Sequence, residues 1–212
     1  MLDEDTMDFI EPLPNERRRL ASLEKSAALL ANALEILTGA LGWTPAEIFF
    51  FGYGQGGTLA LDMLLRPSPS LRGLGGIVGI ATEALPERLA AGKGAIAGHG
   101  SLADCPTAVL LIHGSKDQLT SADRVSASAA CLRRILGGEE SVLLRIFPDR
   151  GEEMLRGGHA EETRCFMEFL SDNLHGVGRR GSAEAIARLG AQPVDEGLTI
   201  SMEPGQASGA DG

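Results

Sequence analysis

Residues 48 to 65 read IFFFGYGQGGTLALDMLL, an apolar run, a turn dense in glycine, then a stretch of small and aliphatic residues. Ile48-Phe49-Phe50-Phe51 is too short for a core helix and rich in aromatics, which predicts a buried strand. Thr58 to Leu65 predicts a helix. Two chemistries use glycines where a strand runs straight into a helix. In a nucleophile elbow, G-x-S-x-G, the central residue takes a strained conformation and small neighbours avoid clashes. In a dinucleotide fingerprint, G-x-G-x-x-G, backbone amides at the helix start receive a pyrophosphate. Gly52, Gly54 and Gly57 satisfy the second spacing, whereas the first fails at Gly54 alone.

Outward from this segment the alternation repeats. Upstream, Asn15 can cap a helix over residues 16 to 38, in which Leu20, Leu23, Ala27, Leu30, Leu34 and Leu37 recur at spacings of three and four. That stripe is expected to pack on a sheet, with a partner-binding face as the alternative. Downstream, Gly73 to Ala81 predicts a strand, Glu83 to Pro106 an irregular Gly/Ala-rich segment, and Ala108 to Ile112 a third strand. Ala122 to Leu136 predicts a helix capped at Thr120 or Ser121, Ser141 to Phe147 a fourth strand, and Ala160 to Leu174 a closing helix. Strands separated by helices imply an α/β fold with a parallel sheet. Three parts follow: an acidic segment 1–15, a domain over 16–175, and a Gly/Ser-rich tail 176–212 read as disordered, with a weak helical stretch from Ser182 to Leu189.

Composition removes several function classes. A formal charge of -10 and a pI near 4.9 exclude a basic face for nucleic acid or for an anionic membrane surface. The acidic, proline-broken N-terminus lacks the features of a signal peptide, and no stretch has the ~18 apolar residues of a membrane span. Cys105, Cys131 and Cys165 are widely spaced without a CxxC pair, so they read as reduced thiols and a cytoplasmic location is expected. No His/Asp/Glu cluster has metal-ligand spacing, so no metal or other cofactor is expected.

The third strand runs into His113-Gly114-Ser115-Lys116-Asp117-Gln118-Leu119-Thr120, which puts an acid on the loop at the carboxyl edge of a parallel sheet, where catalytic groups collect. With IFFFGYGQGGTLAL upstream and VLLIHGSKDQLT at this separation, the chain resembles the phospholipase/carboxylesterase family that includes the acyl-protein thioesterases. Members show G-F-S-Q-G-G after a strand, H-G-x-x-D at a later strand end, and a histidine shortly after the last strand. The resemblance runs from about Leu20 to Leu174. It implies a partial α/β-hydrolase fold with about four strands, and carboxylic-ester or thioester hydrolysis. It puts Gly54 at the nucleophile position, Asp117 at the acid position, and Gln55 where its amide serves an oxyanion, flanked by Gly52 and Gly56. Asp117 also suits a plain turn or capping acid. The histidine position falls near Glu152, while the nearest imidazole is His159. His113 is expected to be a packed strand-end residue, and His99 and His175 to lie in loop and tail.

Gly54 has no oxygen with which to attack an acyl carbon. Losing a serine nucleophile costs on the order of 10⁶ in rate in well-studied serine hydrolases, and neither Ser115 nor Cys105 stands where it could substitute. The family's earlier strands and H-G-x-G loop have no match before Leu20, so the chain is expected to be N-terminally truncated relative to the family, leaving the IFFF strand at a sheet edge open to pairing. Three readings follow: a hydrolase-fold protein with turnover lost or weak; a non-catalytic pseudoenzyme holding an acyl ligand, or a protein partner at the sheet edge; and a nucleotide-binding module on Gly52, Gly54 and Gly57, with Glu83 as the ribose acid. The third ranks last, because it leaves HGSKD unexplained.

Overall fold

The computed structural model describes residues 16–66, 73–95, 107–155 and 159–174. The segment 1–15, the tail 176–212, His99, Cys105 and His175 lie outside them. Four parallel strands form one sheet in the order β1-β2-β3-β4: β1 (Phe49–Tyr53), β2 (Gly76–Ile80), β3 (Ala108–Gly114) and β4 (Val142–Phe147). The register sets Gly52 beside Gly79, Gly79 beside Leu111, and His113 beside Ile146. Among the described residues β1 pairs only with β2, so the aromatic strand is an edge.

Alternation along the strands sorts their side chains between two layers. Ile77, Val109 and Leu111 point to one face, which packs beneath α1 (Arg17–Glu35), α2 (Gln55–Leu64) and α4 (Ala122–Leu136). Val78, Ile80, Leu110 and Ile112 point to the other, beneath α5 (Ala160–Asn173) with its Cys165 and Phe169. Each such side chain stabilises the fold by about 1.5–3 kcal/mol through burial. The predicted stripe of α1 faces the core, with Ala27 and Leu34 buried, while Leu29 on its outer side is exposed. A π-helical turn, Ile36–Ala40, ends that helix.

The α4 boundaries coincide with the sequence expectation. The Ser121 hydroxyl accepts from the Arg124 amide at 3.4 Å, and Gly137 closes the helix in the left-handed conformation. Three elements differ from expectation. The N-cap of α1 is Glu16 rather than Asn15, with no side-chain cap hydrogen bond. The helix after the glycine turn starts at Gln55, three residues before Thr58, because it begins directly at the bend and takes Gly56 and Gly57 into its first turn. The segment expected to be irregular contains α3 (Pro86–Ala95), whose Pro86 stands at the first helical position, where no amide is needed and its fixed φ suits the helix.

A charged cluster ties three of these helices together. Asp62, buried on α2, pairs with Arg66 at 2.6 Å and with Arg88 of α3 at 2.7 Å, and both arginines reach Glu24 of α1. The Arg66 hydrogen bond holds the Glu24 carboxyl below its ordinary range.

Candidate functional site

At the end of β1 the chain reverses into α2 through Gly54, at φ 49° and ψ -117°. Its amide donates to the Ile80 carbonyl at 2.9 Å, which pins the bend to β2. A Cβ built on Gly54 meets nothing within 4 Å, so the apex points into open space and only the positive φ resists a side chain there. Gly52 is constrained by packing instead: a Cβ would lie 2.5 Å from the Gly56 carbonyl carbon and collide with the Gly57 amide. The sequence-predicted Gly56 is open on all sides. Gln55 opens α2 and is exposed, and amides in a first helical turn have no partner within the helix. This is the backbone of a sharp strand-to-helix elbow.

The acid loop after β3 turns inward. The Asp117 carboxylate accepts from the Leu119 amide at 2.8 Å and the Thr120 amide at 3.0 Å through Oδ1. Its Oδ2 faces Nδ1 of His113 at 3.8 Å, too long for a hydrogen bond, and both side chains are buried. Nε2 of His113 lies 2.9 Å from the Thr120 carbonyl and closes the loop from the strand side. The imidazole beside Asp117 is therefore His113.

His159 stands elsewhere, exposed before the first turn of α5, in an open depression with Ala160, Thr163 and Arg164. Among the described residues no hydrogen bond or ion pair joins it to Gly54 or Asp117. The loop after β4 approaches the elbow through Glu152, whose carbonyl accepts a hydrogen bond from the Tyr53 hydroxyl, one residue before Gly54. The Glu152 side chain itself is exposed. Nothing in the sequence pattern marks this contact; the one available signal is that Tyr53 is the chain's single tyrosine.

The loop after β2 completes the edge. Glu83 engages Arg124 with both carboxylate oxygens, and burial pushes its carboxyl above the ordinary range against the pull of that guanidinium. Both oxygens are thus occupied, leaving Glu83 poorly placed to receive a ribose. Backbone strain gathers at the same edge: among the described residues the non-glycine positions of positive φ are Ala81, Asp149 and Leu155, on the loops after β2 and β4. Such conformations concentrate at functional sites, where the surrounding structure over-determines them. Cys165 is buried, which pushes its thiol up, and Cys131 is half-buried. No helix among the described residues is long and apolar enough to cross a membrane.

No protein-family profile matches the chain. An uncharacterized hydrolase of Mycosarcoma maydis is 31% identical over 148 residues, 66% of this chain and 48% of that protein, so the chain spans about half the length of this relative. Among solved structures, esterase PE8 is 26% identical with a TM-score of 0.54, over 75% of this chain and 69% of that one. The Zea mays acyl-protein thioesterase 2 is 22% identical with a TM-score of 0.59, over 79% and 70%. The likeness shows the fold: four parallel strands in chain order flanked by helices, part of an α/β-hydrolase fold.

Proposed function

We propose that this protein binds an acyl ester, thioester or carboxylate at the elbow of an ester-hydrolase fold and turns it over slowly or not at all. The observation that carries the reading is Gly54: the bend has the geometry that presents a nucleophile, and its apex carries no atom that can attack. The Gln55 amide, at the start of α2, remains a donor for an acyl or carboxylate oxygen. Asp117 supports the loop through Oδ1, held by two backbone amides, and among the described residues no hydrogen bond joins its carboxylate to an imidazole. Free Cys131 and Cys165 support a cytoplasmic setting.

A non-catalytic scaffold holding a protein partner is the second reading, favoured by one observation: Phe51 and Tyr53 are exposed on the edge strand, at 58% and 48%. The two are separated by assay. Purified protein is expected to hydrolyse p-nitrophenyl acetate and a palmitoyl thioester no faster than buffer, and to resist labelling by a fluorophosphonate. Saturable turnover abolished by Asp117→Ala would overturn the proposal. Gly54→Ser has room for its hydroxyl but no described imidazole bonded to it as a base, and is expected to bind a carboxylate without acquiring fluorophosphonate labelling; if neither the wild type nor the folded variant binds a carboxylate, the scaffold reading stands instead.

A further inference from the structure

Glu162, in the first turn of α5, is a carboxylate with only 1% of its surface exposed. A buried charge has to be paired and hydrogen-bonded to be tolerated. Both of its partners lie in the loop that precedes the helix: Oε1 accepts from Arg150 Nε at 2.6 Å, and Oε2 from the Leu155 amide at 2.6 Å. Arg150 also donates to the Glu153 carbonyl at 2.9 Å, so one carboxylate and one guanidinium brace residues 150–155 from both ends. Leu155 sits at φ 58°, a costly conformation for a bulky side chain, and its amide is the group Glu162 holds.

The braced loop is fastened to the other two parts of the carboxyl edge. The Lys116 amide donates to the Arg150 carbonyl at 2.7 Å and the Asp149 amide to the Ser115 hydroxyl at 3.0 Å, which joins it to the acid loop. Tyr53 then donates to the Glu152 carbonyl, at the midpoint of the braced stretch, which joins it to the elbow. We propose that Glu162 is a positioning residue for the elbow: through Arg150 and the Leu155 amide it fixes the loop after β4 in the shape that offers the Glu152 carbonyl to Tyr53, beside Gly54. The start of α5, this loop and the strand-to-helix bend then respond as one unit, and a change at the helix is felt at the apex. This coupling needs no ligand, so its test and that of the acyl-binding reading fail independently.

The test uses the full chain as wild type, Glu162→Ala, Glu162→Gln and Tyr53→Phe. Hydrogen exchange is followed by mass spectrometry in peptides covering 148–155 and 52–58, and NMR ring signals are recorded for Tyr53, which needs no assignment because it is the only tyrosine. Glu162→Ala is expected to accelerate exchange in 148–155 by on the order of tenfold or more, and to shift the Tyr53 signals while α4 keeps its protection. Glu162→Gln keeps an oxygen for the Leu155 amide and is expected to produce a smaller change in both readouts. Tyr53→Phe removes one hydroxyl from an exposed ring and is expected to accelerate exchange on both sides of the contact. Unchanged Tyr53 signals in folded Glu162→Ala, or wild-type exchange of both peptides in Tyr53→Phe, would overturn the proposal. If Glu162→Ala does not fold, the other two variants decide: shifted Tyr53 signals in Glu162→Gln together with faster exchange in Tyr53→Phe support it, and wild-type Tyr53 signals in the first or wild-type exchange of both peptides in the second overturns it.

Discussion

At the end of β1 the backbone makes a sharp left-handed bend with nothing at its apex, whereas at the end of β3 a complete carboxylate is present and engaged by its own loop. The first region is a strand-to-helix bend with no side chain at its apex; the second holds a carboxylate whose contacts brace its own loop. The difference follows from what holds each in place. The bend is set by backbone packing, Gly52 against Gly56 and Gly57 and the Gly54 amide on Ile80, none of which needs a side chain at position 54. The acid loop is set by side chains, Asp117 through two amides and His113 through the Thr120 carbonyl.

Substitutions can break or sharpen this contrast. The largest effect is expected at Gly52→Ala, where a new methyl meets backbone that cannot yield. Denaturant unfolding should show a loss of about 3 kcal/mol, while Gly56→Ala, with open space around it, should change stability by no more than about 1 kcal/mol, in the favourable direction. A Gly56 variant as damaging as the Gly52 variant would mean that packing does not define the bend. Next comes Gly54→Ser, whose cost is the positive φ alone, about 1–3 kcal/mol, read from the same unfolding curves. Asp117→Ala should lose about 1–2 kcal/mol by releasing the Leu119 and Thr120 amides. Asp117→Asn, which keeps an accepting oxygen, should lose clearly less; equal losses would point to the carboxylate charge rather than the turn.

The smallest effect concerns Glu83, on the loop between the two regions. Its folded carboxyl titrates above the unfolded value near 4.5 because burial disfavours the charge. The folded state therefore binds this proton more tightly than the unfolded state. The resulting stability is present below the unfolded value and is lost as pH rises through the higher folded value. Relative to Glu83→Gln, the wild type should weaken as pH rises across that window. A flat difference between the two unfolding profiles would remove the burial argument.

Much of the fold was legible because strands and helices obey different periods. Ala108 to Ile112 reads as a buried strand, and Thr120 or Ser121 marks the start of α4, which Ser121 caps. α3 escaped because its Gly/Ala-rich composition gives no apolar stripe and its only marker, Pro86, reads equally well as a breaker. The elbow was legible for the reason it survives without a side chain: glycines leave a trace in sequence where backbones approach. The surroundings of Asp117 and Glu152 left no such trace. Residue order can bring an acid and an imidazole into the same neighbourhood, but whether Asp117 meets His113 or His159 depends on which way one loop turns. The Tyr53 contact with Glu152 spans 99 positions and involves a main-chain oxygen, which has no residue-type signature.

The side-by-side order of the strands has a kinetic consequence. Each strand's neighbour is the one translated just before it, so the sheet can be laid down in the order of synthesis without waiting for a distant segment, which keeps loop-closure costs low. The backbone contacts that set the bend end at Ile80, before the later contact of Tyr53 with Glu152, and those that shape the acid loop begin at His113. On a growing chain the bend can therefore be in place before its partner loop exists, and a ribosome-stalled fragment ending after β2 should already protect the Gly54 amide from exchange.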